Sequence, residues 1–185
     1  MAAASKPARY EDLLALPPHV IGQIVGGELH VHPRPAARHA LAASALGEEL
    51  GPPFKRGKGG PGGWVILDEP ELHLGADILV PDLAGWRRER MPETPLEAFF
   101  TLSPDWLCEV LSPSTASFDR KKKLPIYARE GVRHVWIVEP ETKTLEVLRL
   151  DGDGYRLVLV ASDDDKGHYE PFEAIEMDVA ILWAR

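Results

Sequence analysis

Only one cysteine, Cys108, occurs in the 185 residues, so no internal disulfide can staple the fold, and a reducing, cytoplasmic setting is expected. No uncharged apolar run approaches the roughly 18 residues that would span a bilayer. The opening MAAASKPARY also lacks the long apolar core of a secretory signal, so no membrane partner is expected. An excess of positive charge is missing too: 21 Lys and Arg stand against 29 Asp and Glu, a formal net charge of -8. That balance weighs against a general nucleic-acid coat, which draws on pervasive Lys and Arg. The basic residues are nevertheless clustered, as Lys55, Arg56 and Lys58, as Arg87, Arg88 and Arg90, and as the run Arg120 to Lys123. A local field of this kind can outweigh the net charge of the whole chain.

What is present suits a single domain over residues 1–185, with a core at about 10–182, because 44% hydrophobic and 27% charged residues is a globular composition. Residues 10–16 read as a short helical turn ended by Pro17 and Pro18. Residues 20–25 and 28–32 flank Gly26-Gly27, the two-glycine signature of a tight hairpin. Residues 36–50, rich in Ala and Leu without interior proline, predict the first long helix, which Gly51 should stop. The stretch 51–63 holds six glycines and three prolines in thirteen residues and predicts a mobile loop. Residues 64–67, 71–74, 77–80 and 83–86 read as successive strands of one sheet. The run WLCEVL at 106–111 reads as a strand buried on both faces. A helix over 119–130 closed by Gly131, a strand at 134–138, a hairpin over 144–160 and an apolar segment at 179–183 complete a mixed α/β pattern.

The chemistry concentrates where charge interrupts apolar text. Side chains alternate along a strand, so Leu107, Glu109 and Leu111 share one face and Trp106, Cys108 and Val110 the other. A carboxylate on an apolar face must find a partner, either a buried arginine or lysine or a metal ion. Pro81-Asp82 breaks a strand, since proline cannot donate to the ladder, and sets a second carboxylate at an irregular point. Asp82 is either a plain turn residue or, with Glu109 on a neighbouring strand, half of the oxygen-rich corner that magnesium takes. In FDRKKKLPIY, at 118–127, the cations fall in what reads as a helix's first turn, where the dipole disfavours them. Either they splay into solvent or they await an anion such as a phosphate diester. Lys123 and Tyr127, four apart, share one helical face.

The order Pro81-Asp82 and then Glu109-Val110-Leu111 resembles the PD-(D/E)xK signature of restriction-endonuclease-like nucleases, with Leu111 where the lysine usually stands. The longer stretch DWLCEVLSPSTASFDRKKKLPIYAREGVRHVWIVEPETKTLEVLRL, together with YEDLLALP and GGELHVHPRPAARHALAASAL, is similar to the Uma-type family of endonuclease-like proteins, long catalogued as a domain of unknown function. That resemblance implies an α/β (α+β) restriction-endonuclease-like core, a mixed central sheet flanked by helices, with N-terminal and C-terminal β-hairpin additions. It also implies a lysine relocated to the following helix, here Lys123. Other recurring positions of the family fall on Glu28, His39, Asp119, Arg120, Tyr127, Gly131 and Trp136. Glu139 stands where the family often has Asp.

The implied activity is metal-dependent cleavage of nucleic-acid phosphodiesters, with DNA as the expected substrate. Asp82, Glu109 and the carbonyl of Val110 would hold Mg2+ or Mn2+, Lys123 would orient water, and Glu28 would complete the metal shell or hold Lys123. A homodimer is expected, because duplex cleavage in this superfamily commonly pairs two sites. Two other readings compete. One is an inactive nuclease-fold module that binds nucleic acid or protein. The other is a histidine metal site, since Glu28, His30 and His32 would share a strand face.

Overall fold

The computed structural model describes residues 6–33 and 36–184. After a short helix α1 (Tyr10–Leu14), strands β1 (Val20–Val25) and β2 (Glu28–Pro33) form the expected antiparallel hairpin. Gly26 and Gly27 take φ of +60° and +79°, a conformation that residues with a side chain rarely adopt, and so close the turn. Helix α2 (Ala37–Leu50) follows. Gly51 does not stop it: the residue stays right-handed and the chain runs on into a π-helical turn, Gly51–Lys55, that buries Pro53 and Phe54. The glycine-rich stretch then folds back on this turn, with Lys58 N donating to Pro52 O (2.8 Å) and Gly62 N to Pro53 O (2.8 Å). Pro52 and Pro53, inside the turn, lack the backbone donors of a regular α-helix, and the glycines after it supply the positive φ needed to reverse.

The strands that follow do not all lie in one sheet. Strands β3 (Trp64–Asp68), β6 (Leu83–Arg87), β7 (Trp106–Val110), β8 (His134–Glu139), β9 (Thr144–Asp151) and β10 (Gly154–Ser162) build a six-stranded sheet ordered β10-β9-β8-β7-β6-β3. Strands β4 (Leu72–Leu74) and β5 (Asp77–Leu79) leave it and join the N-terminal hairpin in a second sheet, β2-β1-β5-β4. The expectation of one sheet is corrected here. Short apolar strands look alike in sequence, and Pro81 lets the chain turn from one sheet to the other. The hairpin β9–β10 extends the central sheet directly, through the antiparallel pairing of β8 with β9.

β7 and β8 pair in parallel, Trp106 with His134 through Val110 with Val138, and are joined by a helical crossover. That crossover begins earlier than expected, with α3 (Ala116–Phe118), a π-helical turn Asp119–Lys123, and α4 (Leu124–Arg129). The cations 120–123 therefore lie in the second turn, and Pro125 falls at the start of α4, where its missing donor is tolerated. A short pair, β11 (Lys166–Gly167) with β12 (Met177–Asp178), and a 3-10 turn Val179–Leu182 end the chain.

The alternation along β7 holds. Trp106, Cys108 and Val110 join Leu46, Leu50, Phe54, Trp136 and Phe172 in one core, and Leu107 and Leu111 join Leu79, Ile126, Tyr127 and Ile137 in another. β7 is thus buried on both faces, as its nearly continuous apolar run requires. Gly85 sits between two aromatic rings, where a Cβ would stand 3.1 Å from Trp106 and 3.2 Å from Trp64. No described helix is long and apolar enough to cross a membrane.

Candidate active site

Asp82 lies between Pro81 and the first residue of β6, and Leu83 is paired with Cys108 of β7. Continuing that antiparallel register by one residue sets Asp82 opposite Glu109, and opposed residues share a face. Both line one pocket of about 350 Å³, together with Val110, His39, Asp119, Lys123 and Ser112. The backbone N of Val110 donates to Asp82 Oδ2 (2.6 Å), so the carboxylate covers a donor at the end of the β6–β7 ladder. Asp82 Oδ1 lies 3.1 Å from His39 Nε2 on α2.

Glu109 is 2% exposed and has the partner its burial demands. Lys123 Nζ donates to both of its oxygens, at 2.9 and 2.8 Å, and the Tyr127 hydroxyl donates to Oε1 at 2.6 Å. The lysine also lies 3.2 Å from Asp119 Oδ1 and donates to Val80 O at 3.3 Å. Tyr127 and Asp119 are spaced four residues on either side of Lys123, so one helical face delivers all three side chains. This places the relocated lysine in the same corner as the two acids.

Charge in the corner is unbalanced, with Asp82, Glu109 and Asp119 facing the Lys123 ammonium. Burial pushes the Glu109 carboxyl up to about 8 against the pull of Lys123, and Asp119 and Asp82 add to the rise. Burial opposes the Lys123 cation, but Glu109, Asp119 and Asp82 together outweigh it and hold the amine more firmly protonated than usual. Burial likewise opposes a charged His39, and the hydrogen bond and charge of Asp82 reverse the balance and raise it. Burial, then Glu109, pushes the Tyr127 hydroxyl well up, which keeps it a donor.

The donor chemistry fits a hard divalent ion, since carboxylates in excess of cations converge on one pocket. His39 Nδ1 is buried without a hydrogen-bond partner among the described residues, a further polar atom at the pocket wall. Among the described residues no group of three or more His, Cys, Asp or Glu side chains is already placed to hold a metal ion. Asp82, Glu109 and Val110, the groups that the resemblance offers to an ion, line this pocket together.

Glu28 is not brought to this corner. It pairs with Val25 at the turn end of the hairpin, its side chain is 72% exposed, and it lines a separate hollow with Lys121, Lys122 and Arg129. His32, on the same strand face, does reach the pocket. Four residues of strand, about 13 Å at 3.3 Å per residue, separate Glu28 from it. Asp119 takes the lysine-holding role that the resemblance gave to Glu28. The rings of His30 and His32 lie on Phe118 at 4.7 and 5.1 Å between centroids, and they belong to no metal-ligand cluster among the described residues.

The basic run divides. Arg120 is committed to Glu146 on β9 by paired hydrogen bonds of 2.9 and 2.7 Å, Lys123 is buried, and Lys121 and Lys122 are exposed. Lys55 and Arg56 line a second hollow of about 460 Å³ that shares His39 and Asp82 with the first. Arg87 and Arg90 sit elsewhere, on Trp64 and Asp105. The resemblance marked His39 and Asp119 as recurring positions of the family but gave neither a role. The spacing of Asp119, Lys123 and Tyr127 is the signal that could have given the second its role, while the pairing of the first with Asp82 leaves no mark in the neighbouring residues.

The architecture is that of restriction-endonuclease-like proteins, a mixed α+β fold. A crystal structure of a "putative nuclease belonging to DUF820" from Anabaena variabilis ATCC 29413 matches it with a TM-score of 0.72, over 96% of this chain and 98% of that one, at 19% identity. At that identity the likeness is one of fold. The chain belongs to the Uma2 family, described as "putative restriction endonuclease", whose sequence profile matches residues 8–180. A search among curated proteins gives no significant match.

Proposed function

We propose that the protein is a metal-dependent endonuclease that hydrolyses phosphodiester bonds, with DNA as its substrate and its site at Asp82, Glu109 and Lys123. The observation that carries this reading is the convergence of Asp82 and Glu109 on one pocket with the Lys123 ammonium buried against Glu109 at 2.8 Å. The Uma2 description and the nuclease fold of the Anabaena protein support the same class of activity.

Asp82, Glu109 and the carbonyl of Val110 would hold magnesium or manganese. Such an ion supplies Lewis-acid polarisation of the phosphate and a lower pKa for water. Lys123 donates hydrogen bonds to the charge that builds on the phosphoryl oxygens, or orients the water through its protons, in a setting dry enough to strengthen both. His39 holds Asp82, and Tyr127 holds Glu109. Lys55 and Arg56, in the hollow that shares Asp82, would take the neighbouring phosphates. A homodimer and a cytoplasmic setting are part of this proposal.

The test is calorimetry with Mn2+ followed by cleavage of single- and double-stranded substrates. Metal binding together with metal-dependent cleavage is the expected result. A second reading, a binding module without turnover, is favoured by the net charge of -8 and by the commitment of both Glu109 oxygens to Lys123. Protein that binds manganese but cuts nothing would establish that module instead.

A further inference from the structure

We propose that Lys123 and a divalent cation compete for Glu109, and that Asp119 is the positioning residue that takes the lysine when the cation binds. This rests on the reading of Asp82 and Glu109 as metal ligands.

Lys123 Nζ has four oxygens around it: Glu109 Oε1 at 2.9 Å, Glu109 Oε2 at 2.8 Å, Asp119 Oδ1 at 3.2 Å and Val80 O at 3.3 Å. An ammonium has three protons to donate, so the amine already has more acceptors than it can fill. Glu109 is the opposite case. In the ionised form that a cation would take, its carboxylate offers about four lone-pair directions, and Lys123 and Tyr127 together use three of them.

A metal ion on the remaining direction would press a divalent charge against an ammonium that is 3% exposed, with little water between to screen the repulsion. The lower-energy arrangement is for the amine to leave at least one Glu109 oxygen. It need not become an unpaired buried charge, because Asp119 and Val80 O already lie within reach. Asp119 is 4% exposed and sits one turn back on the same helical run, in the π turn closed by Leu124 N on Asp119 O. The carbonyl of Val80 belongs to the segment that leads through Pro81 to Asp82, so the displaced amine stays tied to the segment that carries the other ligand.

The probe is Mn2+ alone, followed by calorimetry on wild type, Lys123→Met, Asp119→Asn and the double variant. Lys123→Met should bind manganese about tenfold more tightly, within the coupling found between contacting charged residues. Asp119→Asn should bind several-fold more weakly, and the double variant should bind as Lys123→Met does, since no lysine remains to be received. An equal loss from Asp119→Asn in both backgrounds would reduce Asp119 to a distant negative charge and overturn its role. If wild type binds and Lys123→Met binds no better, the competition is refuted while the metal site stands. If wild type binds no metal, the reading of Asp82 and Glu109 fails first, and the competition falls with it.

Because Lys123→Met leaves two carboxylates buried without their cation, a measurement on wild type is also needed. In 15N-lysine spectra, the Lys123 ammonium signal should move on saturation with Mg2+ and keep its protection from exchange. An unchanged signal at saturation would overturn the proposal, whatever the variants do.

Discussion

Glu109 carries the largest consequences of any single side chain. On the proposed mechanism, Glu109→Ala should abolish metal-dependent cleavage while Lys123→Ala keeps metal binding and loses rate by about 10²-fold or more, the scale of removing one group that acts on the transition state. Measured cleavage and manganese affinity must separate the two variants, and equal cleavage by both and by wild type would show that the site lies on other residues. The same residue predicts a pH dependence of stability without metal. Its folded pKa, raised by burial from 4.5 to about 8, lies above the unfolded one, so the native protein keeps a proton that the unfolded chain releases. The contribution from Glu109 is therefore fully present below about pH 4.5 and is lost as pH rises towards 8. Urea midpoints in EDTA should fall over that window in wild type, and the fall should be smaller in Glu109→Gln.

At the scale of elements, the helical crossover between β7 and β8 does two jobs with alternate sides. Asp119, Lys123 and Tyr127 turn inward to Glu109, while Arg120 turns to β9 and pins the π turn to the sheet through Glu146. The Arg120 pair is partly exposed, at 35% and 23%, so solvent screens it, and Arg120→Ala should cost only about 0.5–1.5 kcal/mol. Manganese affinity should be unaltered, which calorimetry on the same sample checks; a large loss of affinity would mean that Arg120 also serves the metal corner. The crossover was legible as a helix from its spacing, but its first turn was not, because Ser114 to Phe118 carries no apolar period of its own. The site lysine could be read from the resemblance and from the face it shares with Tyr127. The partner of Asp82 could not, since His39 arrives on α2 from a distant part of the chain.

For the whole molecule, the site lies where the second sheet meets the central one. Gln23 of β1 lines the pocket with Glu109, and its Oε1 accepts from Val80 N at 2.9 Å, so the N-terminal hairpin walls the corner. Lys55→Ala with Arg56→Ala should weaken nucleic-acid binding uniformly across sequences and flatten its salt dependence by about one to two released ions, as lost phosphate contacts do. Filter binding over a salt series tests this, and an unchanged slope would remove the second hollow from the substrate path. The proposed homodimer should appear in light scattering at twice the chain mass, and a monomer at working concentration would refute it. The sequence by itself determined the faces of β7, the hairpin at Gly26-Gly27, the break at Pro81-Asp82 and the helical face of Lys123, because strand and helix periods are local properties of a few neighbouring residues. Only the tertiary structure decided that β4 and β5 leave the central sheet, that Glu28 stays out in solvent, and that His39 and Asp119 stand beside Asp82 and Lys123. Apart from Asp119, which the helical period already sets four residues before Lys123, those outcomes depend on which elements pack together across long stretches of chain, and period and composition hold no record of that choice.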